Sequence, residues 1–155
     1  MSEVFDDLTP WSPAEVEQME NALGNPIPAD LRQFLLEHGS GHFSMRVVPV
    51  SDENGFFGSI HPFDTVMWAR DDRPGANLPL PDAWLAIGSG AGGQMCVQAD
   101  DHAHGTVMWA DEDLAEALGV FDDEEDTNVD LEEYTFKVAD SWDEMLTMAA
   151  GWDII

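Results

Sequence analysis

The strongest constraint on folding in this sequence is its charge imbalance. Thirty-two aspartates and glutamates face only Arg32, Arg46, Arg70, Arg73 and Lys137, which gives the 155-residue chain a formal net charge of −27 at pH 7. Repulsion between like charges opposes a compact state, so such a chain folds only if it buries a large apolar core. The composition supplies one, because 44% of the residues are hydrophobic and six are Trp. We therefore expect a folded acidic protein and not a disordered acidic chain.

The charge also limits the molecules that can bind. A negative field that reaches outward by about 8–10 Å at ordinary salt repels nucleic acid and anionic membranes and attracts basic proteins. We therefore expect neither direct nucleic-acid binding nor membrane binding. Solubility and adaptation to high salt also explain acidic surfaces, and the composition does not choose between them and partner recognition.

Cysteine content and terminal sequence indicate a cytoplasmic protein. Cys96 is the only cysteine, so an intrachain disulfide is excluded and a reducing compartment fits best. The first ten residues lack the basic region and apolar run of a secretory signal, and 18 apolar residues never run together. The sequence leaves the oligomeric state open.

The sequence predicts a pair of helices within the first forty residues. Ser12 with Glu15 three positions later predicts a capping box, and the helix that follows should run to about Leu23. A second helix should begin at Pro28 and end before Gly39. A last helix is predicted at the other end of the chain, where residues 141–144 again have capping chemistry.

Between these helices the apolar residues come in short runs of strand character. Residues 61–70 fit either a short helix or an extended stretch. The predicted fold class is α+β, with two N-terminal helices, an antiparallel β-meander sheet covered on one side by helices, and a C-terminal helix. The predicted strands are residues 43–50, 56–60, 84–87, 95–99, 106–110 and 134–138.

Acidic residues are densest in the segment 111–133, which holds twelve of them among 23 residues. Ala115 and Leu118 indicate a short helix before the uninterrupted acidic run at 122–126. We expect residues 1–155 to form a single domain, with the segment 111–133 as an insertion of loop and short helix.

Three stretches carry residues typical of one family. The first is the helix pair, with Gly24, the Ile27-Pro28 step, Phe34-Leu35 and Gly39. The second is residues 84–88 with the Gly92-Gly93 pair, and the third is residues 140–146. Leu31 and His38 depart from the pattern, since an aromatic residue and Asn are frequent at these positions. Together, and in this order, the stretches resemble the SUKH superfamily, which includes a fungal cell-wall-assembly regulator and many bacterial toxin-immunity proteins.

The resemblance implies a protein-binding domain that is not an enzyme. Many bacterial relatives of this kind neutralise toxins, often nucleases or nucleic-acid deaminases, by binding the toxin domain. A toxin that acts on nucleic acid presents a basic cleft to phosphates, so an acidic inhibitor can occupy that cleft. We therefore predict an immunity protein for such a toxin. The alternative is a SUKH-type scaffold or regulator that binds a cellular protein without any toxin.

The acidic segment is the predicted contact region for this partner. Its other interpretation is a solvated loop that makes no contacts. We also expect Trp11 and Trp152, near the chain ends, to be exposed anchors at an interface. The predicted partner-binding residues are Asp111, Glu112, Asp113, Asp122, Asp123, Glu124, Glu125 and Asp126.

Other constellations in the sequence are too weak to predict a catalytic residue, a metal site or a cofactor. Asp100, Asp101, His102 and His104 suit a polar turn better than a zinc site. Acidic residues from Asp122 onward have partial calcium-loop spacing, but Thr127 stands where the sharp turn calls for Gly. The glycine-rich residues 88–93 lack the Lys-Ser or Lys-Thr of a phosphate loop and are expected to be a flexible turn. Cys96 lies in an apolar run typical of a buried, inert thiol.

Overall fold

A computed structural model describes residues 8–49, 55–71, 83–90, 92–99, 104–118 and 131–153. The predicted helix pair is present as α1 (Pro13–Leu23) and α2 (Ala29–Glu37). The capping box is complete, because Ser12 Oγ accepts from the Glu15 backbone N–H at 3.1 Å and Glu15 Oε1 accepts from the Ser12 N–H at 2.9 Å. Gly24 ends α1 with φ of 74°, in the left-handed region that favours glycine. Local chemistry therefore suffices to define α1.

The ambiguous segment after the second strand is a helix, α3 (Phe63–Asp71). Trp11 packs on Phe63 with ring centroids 5.6 Å apart and an interplanar angle of 82°, and Val66 is buried. Trp11 is thus only 3% exposed, so the prediction that it is an exposed anchor is wrong. Its ring fills the space between the N-terminal segment and α3. Trp152 is partly buried against the same core.

Among the described residues, six strands form one antiparallel sheet in the order in which they occur along the chain, which confirms the predicted meander and the α+β class. A short helix, α4 (Glu112–Ala117), and a 3-10 helix (Leu131–Glu133) lie between the last two strands in sequence. Helix α5 (Trp142–Ala149) follows, with Ser141 Oγ accepting from the Glu144 N–H at 3.1 Å. The strands are β1 (Gly41–Val47), β2 (Phe56–Ile60), β3 (Trp84–Gly90), β4 (Gly93–Gln98), β5 (Val107–Asp111) and β6 (Thr135–Ala139).

One face of the sheet, the core face, carries the main hydrophobic core. Met95 and Val97 of β4 and Trp109 of β5 belong to the same buried cluster as Met19 of α1 and Trp142 of α5. Because side chains alternate between the two faces of a strand, the residues between them point the other way. Helices α1, α2, α3 and α5 all contribute residues to this cluster.

The opposite face, the second face, carries a smaller buried cluster formed by Trp84, Cys96, Ala110, Ala115 and Tyr134. Ala115 belongs to α4, so this helix packs on the side that the others leave. The prediction that helices cover only one side is therefore wrong for α4. The buried Cys96 is as predicted.

The glycine-rich residues predicted as a flexible turn lie mostly in strands, with Gly88 and Gly90 in β3 and Gly93 in β4. A Cβ on Gly93 would lie 2.7 Å from Cζ2 of Trp109, and one on Gly88 would lie 2.7 Å from Cε1 of Phe57. These glycines are thus required because large rings of the core face lie against the strand backbone.

Candidate partner-binding surface

Asp111 lies at the junction between β5 and α4 and serves the fold. Its carboxylate Oδ1 accepts a hydrogen bond from the Leu114 backbone N–H at 2.9 Å, which caps α4, and the residue is only 1% exposed. Its own N–H donates to the carbonyl of Tyr134 at 2.8 Å. Of the predicted contact residues in the described ranges, Asp111 is the one that the fold itself encloses.

The residues that follow present their carboxylates outward. Asp113, Glu116, Glu132 and Glu133 are exposed, and Glu112 is partly buried. Helix α4 and the 3-10 helix flank the same small cluster, because Ala115 and Tyr134 both belong to it. We call these five acidic residues of α4 and the 3-10 helix the acidic surface. The predicted contacts Asp122, Asp123, Glu124, Glu125 and Asp126 lie outside the described residues.

Lysine and arginine are scarce in the part of the sequence that contains the acidic surface. The sequence contains neither Lys nor Arg between Arg73 and Lys137. Lys137 of β6 is exposed and forms an ion pair with Asp140, and this contact raises the pKa of the lysine. Arg46 is buried on the core face, where it donates to carbonyls near the end of α5. The two helices of the acidic surface thus carry acidic residues and contain no lysine or arginine.

Beside the acidic surface, a line of polar side chains crosses four strands of the second face. His42, Ser59, Ser89 and Gln94 are successive cross-strand partners in β1, β2, β3 and β4, and the next partner in β5 is Ala110 of the small cluster. Directly opposite residues share a face of the sheet. The Ser59 and Ser89 hydroxyls are 3.2 Å apart. We call these four residues the polar row.

The polar row joins the acidic surface through a chain of hydrogen bonds. Gln94 Nε2 donates to Glu112 Oε1 at 2.9 Å, and Gln94 Oε1 lies 3.0 Å from Nε2 of His61. A carboxylate only accepts, so the amide nitrogen of Gln94 faces Glu112 and the His61 Nε2 carries the hydrogen. The orientation of Glu112 is therefore fixed by two residues behind it.

Burial lowers the pKa of His61 below its ordinary value of 6.5, and His42 acts in the same direction. The hydrogen bond with Gln94 and the negative charge of Glu112 raise the pKa, but burial has the largest effect, so the pKa is lowered overall. A neutral imidazole at pH 7 is the consequence, and it donates to Gln94 through Nε2.

The residues that the sequence suggested for a metal site are only partly described. Within the described ranges, no group of three or more His, Cys, Asp or Glu residues is arranged to hold a metal ion. His104 is exposed and its Nε2 lies 2.8 Å from the Pro26 carbonyl oxygen. Asp100, Asp101 and His102, and most of the calcium-like loop, lie outside the described residues. What the arrangement offers chemically is an oriented set of hydrogen-bond acceptors beside exposed carboxylates.

Sequence reasoning named Glu112 and Asp113 of α4 as predicted contacts but did not name the polar row. Its four members are far apart in sequence, and single Ser, Gln or His residues within strands carry no distinctive pattern. Only the register of the strands brings them together. The one available signal is that Ser59, Ser89 and Gln94 interrupt otherwise apolar or glycine-rich strands.

Comparison with known families gives one match that covers most of the chain. The family model described as SMI1 / KNR4 family (SUKH-1) matches residues 10–148. A search of curated proteins finds no match. In the part of the chain that the structure describes, no helix is long and apolar enough to cross a membrane.

Proposed function

We propose that this chain, which belongs to the SMI1 / KNR4 family (SUKH-1), is a cytoplasmic immunity protein that binds and neutralises a toxin acting on nucleic acid. The family is generally non-catalytic and implies protein partners, so binding is the activity to explain. The toxin class is inferred from charge. A nuclease or nucleic-acid deaminase needs a basic cleft for phosphates, and this cleft is the natural target of an acidic inhibitor.

The observation that carries the proposal is the one-sided charge of the acidic surface. Its acidic residues lie on two short helices, and the sequence contains no Lys or Arg between Arg73 and Lys137. Such a surface repels DNA and RNA themselves, so the matching partner is a protein with the opposite charge. Complementary fields also accelerate association, which suits an inhibitor that must act before damage occurs.

In this mechanism the acidic surface covers the basic cleft of the toxin and excludes its nucleic-acid substrate. Inhibition is then competitive with nucleic acid and weakens as salt screens the attraction. Residues Asp122, Asp123, Glu124, Glu125 and Asp126 follow α4 in sequence and are proposed to extend the contact. The short reach of the field at physiological salt, about 8 Å, confines steering to residues near the contact.

The proposal is tested with the protein encoded beside this gene, purified with and without the chain. The expected result is a stable complex and loss of nuclease or deaminase activity on addition of the chain. In a stopped-flow assay, the triple variant Asp113→Asn, Glu116→Gln, Glu132→Gln should associate about tenfold more slowly at low salt, because three steering charges are gone. At high salt the two rates should converge.

A matched control removes three charges elsewhere. The variant Glu17→Gln, Glu37→Gln, Asp64→Asn changes exposed acids of α1, α2 and α3 and leaves the acidic surface intact. Its association rate should stay within about twofold of the wild type. Equal slowing in both triple variants would contradict a localised contact. Failure to bind the neighbouring protein, together with capture of a cellular protein that has no toxic activity, would support the scaffold or regulator alternative instead.

A further inference from the structure

The polar row lies on a part of the second face that the small buried cluster does not reach. Among the described residues, that cluster contains members of β3, β4, β5 and α4 and Tyr134, which precedes β6, but none from β1 or β2. Over β1 and β2 the same face presents exposed His42 beside half-buried Ser59. The described helices thus leave the β1–β2 side of this face without an apolar cover.

The floor of this region is made of small residues. Ser59 and Ser89 lie between His42 and Gln94 across this region. Four positions on adjacent strands span three strand spacings, about 14 Å, which is the length of a four- or five-residue extended segment. A short stretch of a partner chain therefore fits across the row.

Glu112 stands at the end of this floor and differs from the other acids of the acidic surface. One of its oxygens is held by Gln94, which is in turn held by His61. A carboxylate accepts about four hydrogen bonds, so Glu112 retains acceptor capacity while its orientation is already fixed. Asp113, Glu116 and Glu132 are exposed, so water competes for each of their oxygens. Binding to Glu112 therefore costs less ordering of the carboxylate.

We propose that the polar row and Glu112 together form the docking site for an arginine-bearing segment of the protein partner, an inference that rests on the proposed function. The guanidinium group of arginine presents five donors in a planar fork, is weakly hydrated, and suits a partly buried carboxylate flanked by hydroxyl and amide oxygens. The negative charge of the neighbouring acidic surface supplies the complementarity. Glu112 is the anchor, and Gln94 and His61 are positioning residues behind it.

The direct test is a titration of the ¹⁵N-labelled chain with a hexa-arginine peptide, followed by amide NMR signals. The expected shifts centre on the backbone amides of Ser59, Ser89 and Gln94 and on the Gln94 side-chain NH₂, which touches Glu112. Glu112→Gln should weaken peptide affinity about fivefold or more, because the charge-assisted bond is lost. The matched single-charge control, Glu116→Gln, should weaken it less than about twofold.

Two further experiments distinguish the effect of charge from two other effects, which are the orientation of the Glu112 carboxylate and the chemistry of the peptide side chain. Gln94→Leu keeps every charge but releases Glu112, so it should weaken hexa-arginine binding by at least about threefold. Hexa-lysine carries the same charge as hexa-arginine and should bind at least about threefold more weakly, since ammonium groups lack the planar fork. Retained native dispersion of the remaining NMR signals checks that both variants are folded.

The inference is overturned if the shifts centre on Glu116 and Glu132, if Glu112→Gln and Glu116→Gln lose affinity equally, or if hexa-lysine binds as well as hexa-arginine. These outcomes leave the immunity function intact, because the acidic surface alone can still bind a basic toxin. Conversely, arginine docking at the polar row without any complex with the neighbouring gene product would contradict the toxin proposal and retain the docking site.

Discussion

The two faces of the sheet carry different kinds of side chain. The core face buries large rings, among them Trp109, Trp142 and Phe57, under four helices. The second face buries a cluster of only five residues, covered by α4, and then gives way to the polar row and the acidic surface. A sheet that obtains its stability from one face is able to keep polar and like-charged groups on the other. In a chain of net charge −27, this division leaves the main hydrophobic core on one side and the polar row and acidic surface on the other.

The largest expected effect is on the core face, at Trp109. This side chain is fully buried, and its ring lies against the backbone at Gly55 and Gly93. We expect Trp109→Ala to lower the free energy of unfolding by about 3–5 kcal/mol, because it removes a large buried ring and leaves a cavity. Urea denaturation followed by circular dichroism measures the loss.

The comparison on the second face is Ser59→Ala, which removes one hydroxyl of the polar row. A half-buried hydroxyl that hydrogen-bonds at 3.2 Å contributes about 1 kcal/mol or less. If Trp109→Ala and Ser59→Ala lowered the free energy of unfolding by similar amounts, the core face would not be the main source of stability. If Trp109→Ala does not fold at all, the loss of stability is too large for urea denaturation to measure, which agrees with the expected large effect.

A second, smaller effect separates buried from exposed positive charge. Arg46 of β1 donates from one guanidinium nitrogen to the carbonyls of Ala149, Ala150 and Trp152, at 3.1, 3.4 and 3.4 Å. It thereby caps the C-terminus of α5, where a cation is favoured. We expect Arg46→Met to cost about 1.5–3 kcal/mol, as lost charge-assisted hydrogen bonds do.

Arg32→Met removes the same charge and is the control for that measurement. Arg32 is 47% exposed and pairs with Glu20 at 3.7 Å, so its loss should cost less than about 1 kcal/mol. Thermal unfolding of both variants at the same pH compares them directly. If both lose equal stability, overall charge repulsion, and not the capping of α5, accounts for the effect of Arg46.

The smallest expected effect is a pH dependence that originates beside the polar row. Burial holds the pKa of His61 below 6.5, while the groups that face it are Gln94, Glu112 and His42. As pH falls through the ordinary value, the unfolded chain takes up a proton that the folded chain does not, so His61 reduces stability toward low pH. Relative to His61→Gln, the wild type should therefore lose stability as pH falls from about 7 to about 5.

Parallel urea denaturation of the two proteins across this range isolates the histidine, because the titration of the 32 acidic residues is common to both. A constant difference between them would show that His61 takes up its proton equally in the folded and unfolded states. The opposite slope would indicate that the Glu112 carboxylate outweighs burial at this position.

The predictions from sequence succeed where the determining interactions are local. Ser12 and Glu15 cap each other within one turn, and Ser141 caps α5 in the same manner, so both helix starts were predictable. Residues 61–70 remained ambiguous because their helix is selected by contact with Trp11, which lies fifty residues earlier along the chain. The expected exposure of Trp11 failed for the same reason. Its burial depends on a neighbour that periodicity does not identify.

The acidic part of the site was predictable, whereas its organisation was not. The dense acidic segment led us to predict Asp111, Glu112 and Asp113 alike as contact residues. Glu112 and Asp113 are partly or fully exposed residues of α4, whereas Asp111 is buried as its cap. The hydrogen bond from Gln94 to Glu112 joins residues on different elements, and its existence depends on the register between β4 and β5. A cross-strand contact of this kind has no counterpart in linear spacing.

By itself, the sequence determined the capped helices, the succession of strands and an exterior of one sign, because each depends on neighbouring residues or on a sum over the chain. The tertiary structure alone decided which face of the sheet each side chain occupies, why Gly55 and Gly93 must lack side chains beside Trp109, and how four distant polar residues align next to Glu112. Strand register and ring packing are set by contacts between elements. A shift of one residue would move every side chain of a strand to the opposite face.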